Sequence, residues 1–279
     1  MGILEYLQYG FIQRALLCGA FIAILCATLG VILVLRRFSL IGDGLAHVTF
    51  GSVALGLFFR IYPLYISIPI VMMSSLGILK LTQRARLYGD AAIGIVSSFG
   101  IAGGVILASV AGGFNVDLFS YLFGNILAIG PEELYISIAL SLVVLAVIFL
   151  YFNEIFSMTF DEEFARASGI GTERLNTILA LLTAITVVLT MSVVGIMLVS
   201  ALLILPAVTA LQLARSFRGA MLIAACVSFV AVTGGIFLSL ILNLPTGATI
   251  VMTGIVLFLA ALALRMLRQH GHAVPIARP

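Results

Sequence analysis

The chain is 279 residues long, 63% hydrophobic and only 9% charged, with a formal net charge of +3. A soluble domain carries about 25% charged residues to cover its surface, so most of this exterior faces something other than water. A water-soluble fold is excluded; the placement of the positive charge matters more than its size, and no nucleic-acid partner is expected.

In chain order, apolar runs cover 11–35, 40–59, 62–81, 91–110, 133–152, 175–192, 194–214, 220–242 and 246–264. Each is roughly 18–25 residues, enough for a helix to cross about 30 Å of hydrocarbon. They are too long and too regular for barrel strands, which alternate over about ten residues. Helices also satisfy internally the backbone hydrogen bonds that lipid cannot. The predicted fold class is all-α, a polytopic transmembrane helical bundle of eight or nine spans forming one domain over 1–279. The break near Ser192 and Val194 decides between the two counts.

Positive charge sets the orientation. With the N-terminus outside and nine spans, Arg36, Arg37, Lys80, Arg84, Arg86, Arg166, Arg174, Arg215, Arg218, Arg265, Arg268 and Arg278 lie on the cytoplasmic side, 12 of the 14 basic residues. Only Arg14 and Arg60 lie outside. The expectation is N-out and C-in, a multi-pass protein of a prokaryotic cell (inner) membrane. The first run is no cleaved signal, because its leader lacks positive charge and Arg36-Arg37 follows the run, as in a retained reverse anchor. Cys18, Cys26 and Cys226 all sit inside apolar runs, where they serve as small packing residues.

Two connections are long. The stretch 111–132, with Asn115, Asp117, Tyr121, Asn125 and Pro131, is expected outside as a short interfacial or re-entrant helix. The stretch 153–174 is expected inside. There Thr159 or Asp161 can cap a short helix, Glu162 and Glu163 suit its positive end, and Gly169 can end it. Such a helix under a membrane domain is a docking element or an ordinary solvated loop helix. Among 27 glycines, Gly100 and Gly104 make a small-xxx-small pair, and Gly51 and Gly56 punctuate the second run. Close helix packing is their default meaning, since lipid supplies no hydrophobic force to press helices together.

Ionisable groups are rare inside spans, because burying one costs about 2.5–3.5 kcal/mol even on lenient scales. Arg14 can snorkel, while Asp90 and Glu133 sit at span starts. Asp43 and His47 remain, in Gly42-Asp43-Gly44-Leu45-Ala46-His47-Val48-Thr49-Phe50. Their i, i+4 spacing puts both side chains on one helical face. Three roles fit: an internal hydrogen bond that pins helices, two ligands of a transition metal, or a proton relay. Two ligands are too few for a closed four-coordinate site, but a symmetric homodimer would supply Asp₂His₂. Zinc-protease, nucleophile-elbow and phosphate-loop motifs are absent. The chain is therefore not expected to be an enzyme, and any ATP would be hydrolysed on a partner.

The segment Leu35-Arg36-Arg37-Phe38-Ser39-Leu40-Ile41-Gly42-Asp43-Gly44-Leu45-Ala46-His47 and the following Gly51-Ser52-Val53-Ala54-Leu55-Gly56 resemble the permease subunits of ABC importers for zinc, manganese or iron(II). So do Leu122-Phe123-Gly124-Asn125-Ile126-Leu127, the stretch from Phe160 to Gly169, and Val194-Gly195-Ile196-Met197-Leu198-Val199-Ser200-Ala201-Leu202-Leu203-Ile204-Leu205-Pro206-Ala207. The resemblance spans nearly the whole chain in order. It implies a homodimer of permeases in lipid, two cytoplasmic ATP-binding subunits and an extracytoplasmic metal-binding receptor protein. It further implies that Asp43 and His47 line the metal path, with the ion as transported substrate and no permanently bound cofactor. By the same resemblance, Asp161, Glu162, Glu163, Ala165 and Gly169 belong to the ATPase-coupling helix, within about 159–170. Many such permeases have a proline soon after the histidine, where this chain has Thr49-Phe50-Gly51-Ser52. The motif wording is closer to zinc-type members. His270 and His272 could hold zinc loosely, although a two-histidine tail is usually only a tail. The competing function is an ion-coupled transporter or channel using Asp43 and His47 as a proton relay.

Overall fold

The computed structural model describes residues 8–84, 88–110, 124, 126 and 129–270. Most of 111–132, including Asn115, Asp117, Tyr121 and Asn125, lies outside the described residues, as does His272. All regular structure among the described residues is helical: α1 (Gly10–Leu35), α2 (Ile41–Phe59), α3 (Pro63–Arg84), α4 (Gly89–Val110), α5 (Pro131–Leu150), α6 (Phe152–Phe160), α7 (Glu162–Ala167), α8 (Thr172–Val194), a 3₁₀ turn (Ile196–Leu198), α9 (Val199–Leu213), α10 (Phe217–Leu242) and α11 (Thr246–His270). Eight helices are long and apolar enough to cross a membrane; α9, with 15 residues, is shorter. At 1.5 Å per residue α9 spans only about 22 Å, so the seventh apolar run is shortened behind a break at Gly195. The stretch 153–160, expected to be part of a connection, is helical, because Ile155 and Met158 bury one face of α6.

Burial orders the bundle from inside to outside. In α1, 72% of the most apolar window is buried, against 17% in α11. The central α1 packs on α5, α8, α9 and α10, while α2 lies between α3 and α4 and also touches α8 and α9. The outer helices present Phe99, Met73, Leu150 and Leu267 outward, as helices bathed in lipid do. Inside α8, the buried Thr183, Thr186 and Thr190 hydroxyls donate to the carbonyls one turn back, so these three donors are satisfied within their own helix.

The close crossing beside His47 is between α2 and α4. A Cβ on Gly51 would meet the Gly100 carbonyl oxygen at 2.6 Å, and one on Gly100 would meet Val48 Cα at 2.6 Å and the His47 carbonyl at 2.9 Å. Gly104 faces the Phe50 ring at 2.6 Å in the same sense. The glycines expected to allow close approach do so here, and backbone touches backbone beside His47. Without the proline common after this histidine, α2 is continuous through Thr49–Ser52, and the Thr49 hydroxyl donates to the Leu45 carbonyl at 2.7 Å.

Alanine in a helix is ordinarily about 1 kcal/mol better than glycine, but forcing atoms into a filled contact costs about 1–3 kcal/mol. Gly100→Ala is therefore expected to lower the melting temperature in detergent. Gly103→Ala, where a Cβ meets nothing within 4 Å, is expected to hold or raise it. Equal melting temperatures for the two variants would contradict the crossing.

Candidate functional site

Asp43 lies in the first turn of α2, where the helix dipole favours a negative charge. One turn on, His47 Nε2 stands 3.5 Å from Asp43 Oδ2. The other carboxylate oxygen, Oδ1, accepts from the Ser200 hydroxyl of α9 at 3.1 Å. The glycines flanking Asp43 seat α2 on its neighbours: Gly42 lies against the Leu203 side chain, and Gly44 against Ile93 of α4. The pair is not enclosed, since 50% of the Asp43 side chain and 32% of His47 are exposed on the single chain. Two polar donors thus open together onto a surface of an otherwise apolar bundle.

Ser200 reaches Asp43 because the chain breaks just before α9. Gly195 has φ 86° and ψ 158°, a region open essentially only to glycine. Gly124, at φ 75°, packs directly against the backbone of Val194 and Gly195. Stretches far apart in sequence, around Asp43, Gly124 and Gly195–Ser200, therefore meet in one place. Ser200 was not among the expected site residues; its sequence signals are a hydroxyl inside an apolar run and its place in the Val194–Ala207 stretch.

Among the described residues, no three of His, Cys, Asp and Glu gather closely enough to hold a metal ion. The described residues place two such ligands side by side here, a carboxylate and an imidazole, and any fuller coordination sphere draws on further atoms. Cys18, Cys26 and Cys226 are free thiols, and Cys26 shares a 3.0 Å hydrogen bond with Thr190, away from this pair.

The 161–169 segment is a second, separate feature. Asp161 caps α7, accepting from the Phe164 N–H at 2.8 Å. Thr159, the other possible cap, instead donates within α6 to the Ile155 carbonyl. Gly169 ends the segment at φ 86°, as its sequence position suggests. Ala165 is fully buried, while Phe164 and Phe160 stand 65% and 62% exposed. Glu162 turns back toward the bundle, 2.9 Å from Arg36, and Glu163 is exposed.

The chain matches the ABC 3 transport family over residues 8–265. It belongs to that family. This is a multi-pass membrane protein with eight apolar helices of crossing length among its described residues. It is 31% identical over 257 residues to the manganese transport system membrane protein MntC of Halalkalibacterium halodurans, covering 92% of this chain and 88% of that one. It is also 31% identical over 249 residues to the high-affinity zinc uptake system membrane protein ZnuB of Haemophilus influenzae, covering 89% of this chain and 95% of that one. Among solved structures, PsaBC from Streptococcus pneumoniae in complex with Fab superposes with a TM-score of 0.84 at 30% identity, covering 93% of this chain and 95% of that one.

The break at Gly195 makes a direct prediction. Gly195→Ala forces a side chain into a conformation that costs about 1–3 kcal/mol, so the detergent-solubilised protein should melt below wild type. Gly94→Ala, at an open position, is the control; equal melting of the two variants would contradict the conformation described.

Proposed function

We propose that this chain is the membrane permease subunit of an ATP-binding-cassette importer that carries a divalent transition-metal ion into the cell. The observation that carries this is the Asp43–His47 pair, set one turn apart on one open face of α2 in a chain of the ABC 3 transport family. Carboxylate oxygen and imidazole nitrogen are borderline donors suited to zinc, manganese or iron. Two such pairs meeting across a twofold axis make an Asp₂His₂ set for one ion in transit. The metal is cargo. ATP hydrolysis belongs to two cytoplasmic partner subunits, and an extracytoplasmic receptor protein delivers the ion.

Relatives named for manganese and for zinc match equally well, so similarity supports a metal ion in general. Zinc is favoured by the wording of the Gly42–Phe50 motif, and its test is the metal content of the purified permease dimer under equimolar competition between zinc and manganese. Predominant manganese would reverse the preference.

The exposed Phe164 and the buried Ala165 support α7 as the ATPase-docking helix: one side is anchored in the bundle and the other is free to meet a partner. N-out, C-in orientation puts this face in the cytoplasm, following the basic residues. Contacts are consistent with that alternation. Arg36, Glu162 and Asn176 share one end of the bundle, while Tyr65 meets Glu132 at 2.7 Å between two helix ends expected outside.

Three variants test this reading. Asp43→Asn keeps the shape but removes the charge that offsets the cation, and His47→Ala removes the nitrogen ligand. Each should reduce metal uptake to background while expression and assembly with the ATPase persist. Wild-type uptake by both would refute the site. Ligation needs neutral imidazole and ionised carboxylate, so uptake should also fall on acidification. The Ala165 N–H donates to the Asp161 carbonyl at 3.0 Å. Ala165→Pro deletes that bond and adds a ring clash, so the permease should still dimerise but lose transport. Unchanged transport would place the ATPase elsewhere, and labelling of a cysteine at position 163 by an impermeant reagent from outside would reverse the orientation.

A further inference from the structure

Arg36 caps the C-terminus of α1 and is only 11% exposed. Its Nη1 donates to Asn176 Oδ1 at 2.6 Å, and its Nη2 donates to Glu162 Oε2 at 2.9 Å. The ring closes where Asn176 Nδ2 donates to Glu162 Oε1 at 3.0 Å. Three elements are thereby joined: the α1–α2 turn, the docking helix α7 and the first turns of α8. Both Glu162 oxygens are engaged, and the planar guanidinium fork fixes the angle between its partners. Arg166, 66% exposed, adds only a 3.8 Å contact to Glu162. Burial pulls the Arg36 guanidinium below its ordinary range, and Glu162 pushes it back up. Removing the partner of a buried charge is strongly unfavourable, so where Glu162 goes, Arg36 is drawn after it.

The turn that follows is stiff. Arg37 adopts φ 60°, the Phe38 N–H donates to the Leu33 carbonyl at 2.9 Å, and the Ile41 N–H donates to Phe38 at 3.1 Å. Only six residues separate Arg36 from Asp43. Beside the ring lies a cavity of about 220 Å³, lined in part by Arg36, Glu162, Asn176, Phe38, Ile41 and Ile78. The ring therefore edges free space on one side, and its members have room to shift.

We propose that Arg36, Glu162 and Asn176 form a clamp that passes movement of the ATPase-docking helix to the helix bearing Asp43 and His47. Arg36 and Asn176 are positioning residues here, acting through Glu162. The inference rests on the proposed function, which makes α7 the docking helix and Asp43–His47 the ion pair. A coupling element must make different contacts in the two states it links, and a three-way ring bordered by a cavity can do so.

The test uses the full transporter, permease with its ATPase and receptor, in proteoliposomes supplied with zinc from outside, measuring uptake and ATP hydrolysis in the same vesicles. Asn176→Ala opens the ring while leaving the Arg36–Glu162 pair. Arg36→Lys keeps the charge and loses the fork. In both, zinc carried per ATP hydrolysed should fall about tenfold, the effect of losing one hydrogen bond to a charged group, with ATP hydrolysis and co-purification of the ATPase preserved. A merely structural ring predicts that hydrolysis and uptake fall together, their ratio unchanged, and that result would overturn the clamp. Loss of the ATPase from both complexes would also overturn it, since the residues would then be assembly contacts. Asp43→Asn run in parallel separates the two ideas. If it imports zinc normally, the proposed site has failed; if it is inactive while the clamp variants keep their ratio, the clamp alone has failed.

Discussion

In a bilayer no hydrophobic force pushes one helix onto another, so helices stay together only where their backbones can come close. In this chain that condition is met where α2 crosses α4, at Gly51, Gly100 and Gly104. The crossing falls beside the His47 carbonyl, with Gly44 against Ile93 on the same side and Gly42 against Leu203 on another. Because these contacts have no slack, the direction in which Asp43 and His47 point is set by backbone packing rather than by side-chain choice. The position of Ser200 against Asp43 depends on the same tightness, since Leu203, one turn along α9, is the residue that Gly42 admits.

Polar groups inside an apolar bundle are expensive, and their placement here is economical. The threonines of α8 bond to their own helix, and Asp43 takes its hydroxyl partner from α9. The carboxylate and imidazole still keep open surface, and the described residues of one chain offer too few ligands to enclose an ion. An incomplete site that faces outward from a subunit is what a shared, transient site requires: a passing ion must be released as readily as it is held. Elsewhere in the bundle, the ring of Arg36, Glu162 and Asn176 ties α7 to the turn that begins α2.

Much of the fold was legible because hydropathy over 18–25 residues is a strong signal, and the eight crossing-length helices follow the expected runs. Asp161, Gly169 and the i, i+4 pair were legible for a local reason: cap, stop and helical face are set within a few residues. Residues that act across long separations were not legible in the same way. Ser200 lies 157 positions from Asp43, and Asn176 looks like any polar residue in the first turns of a helix. The polar start of α6 resembled a linker, because its burial of Ile155 and Met158 depends on the tertiary packing around it. Shortening of the seventh run came from one glycine, Gly195, whose positive φ the surrounding apolar residues do not announce.

In the proposed site, two chains share one ion between two Asp43–His47 pairs. Equilibrium zinc binding to the purified permease dimer, with its ATPase attached and without ATP, measures this most directly. A shared site saturates at one high-affinity ion per two chains. Saturation at one ion per chain, each held without the partner subunit, would contradict it.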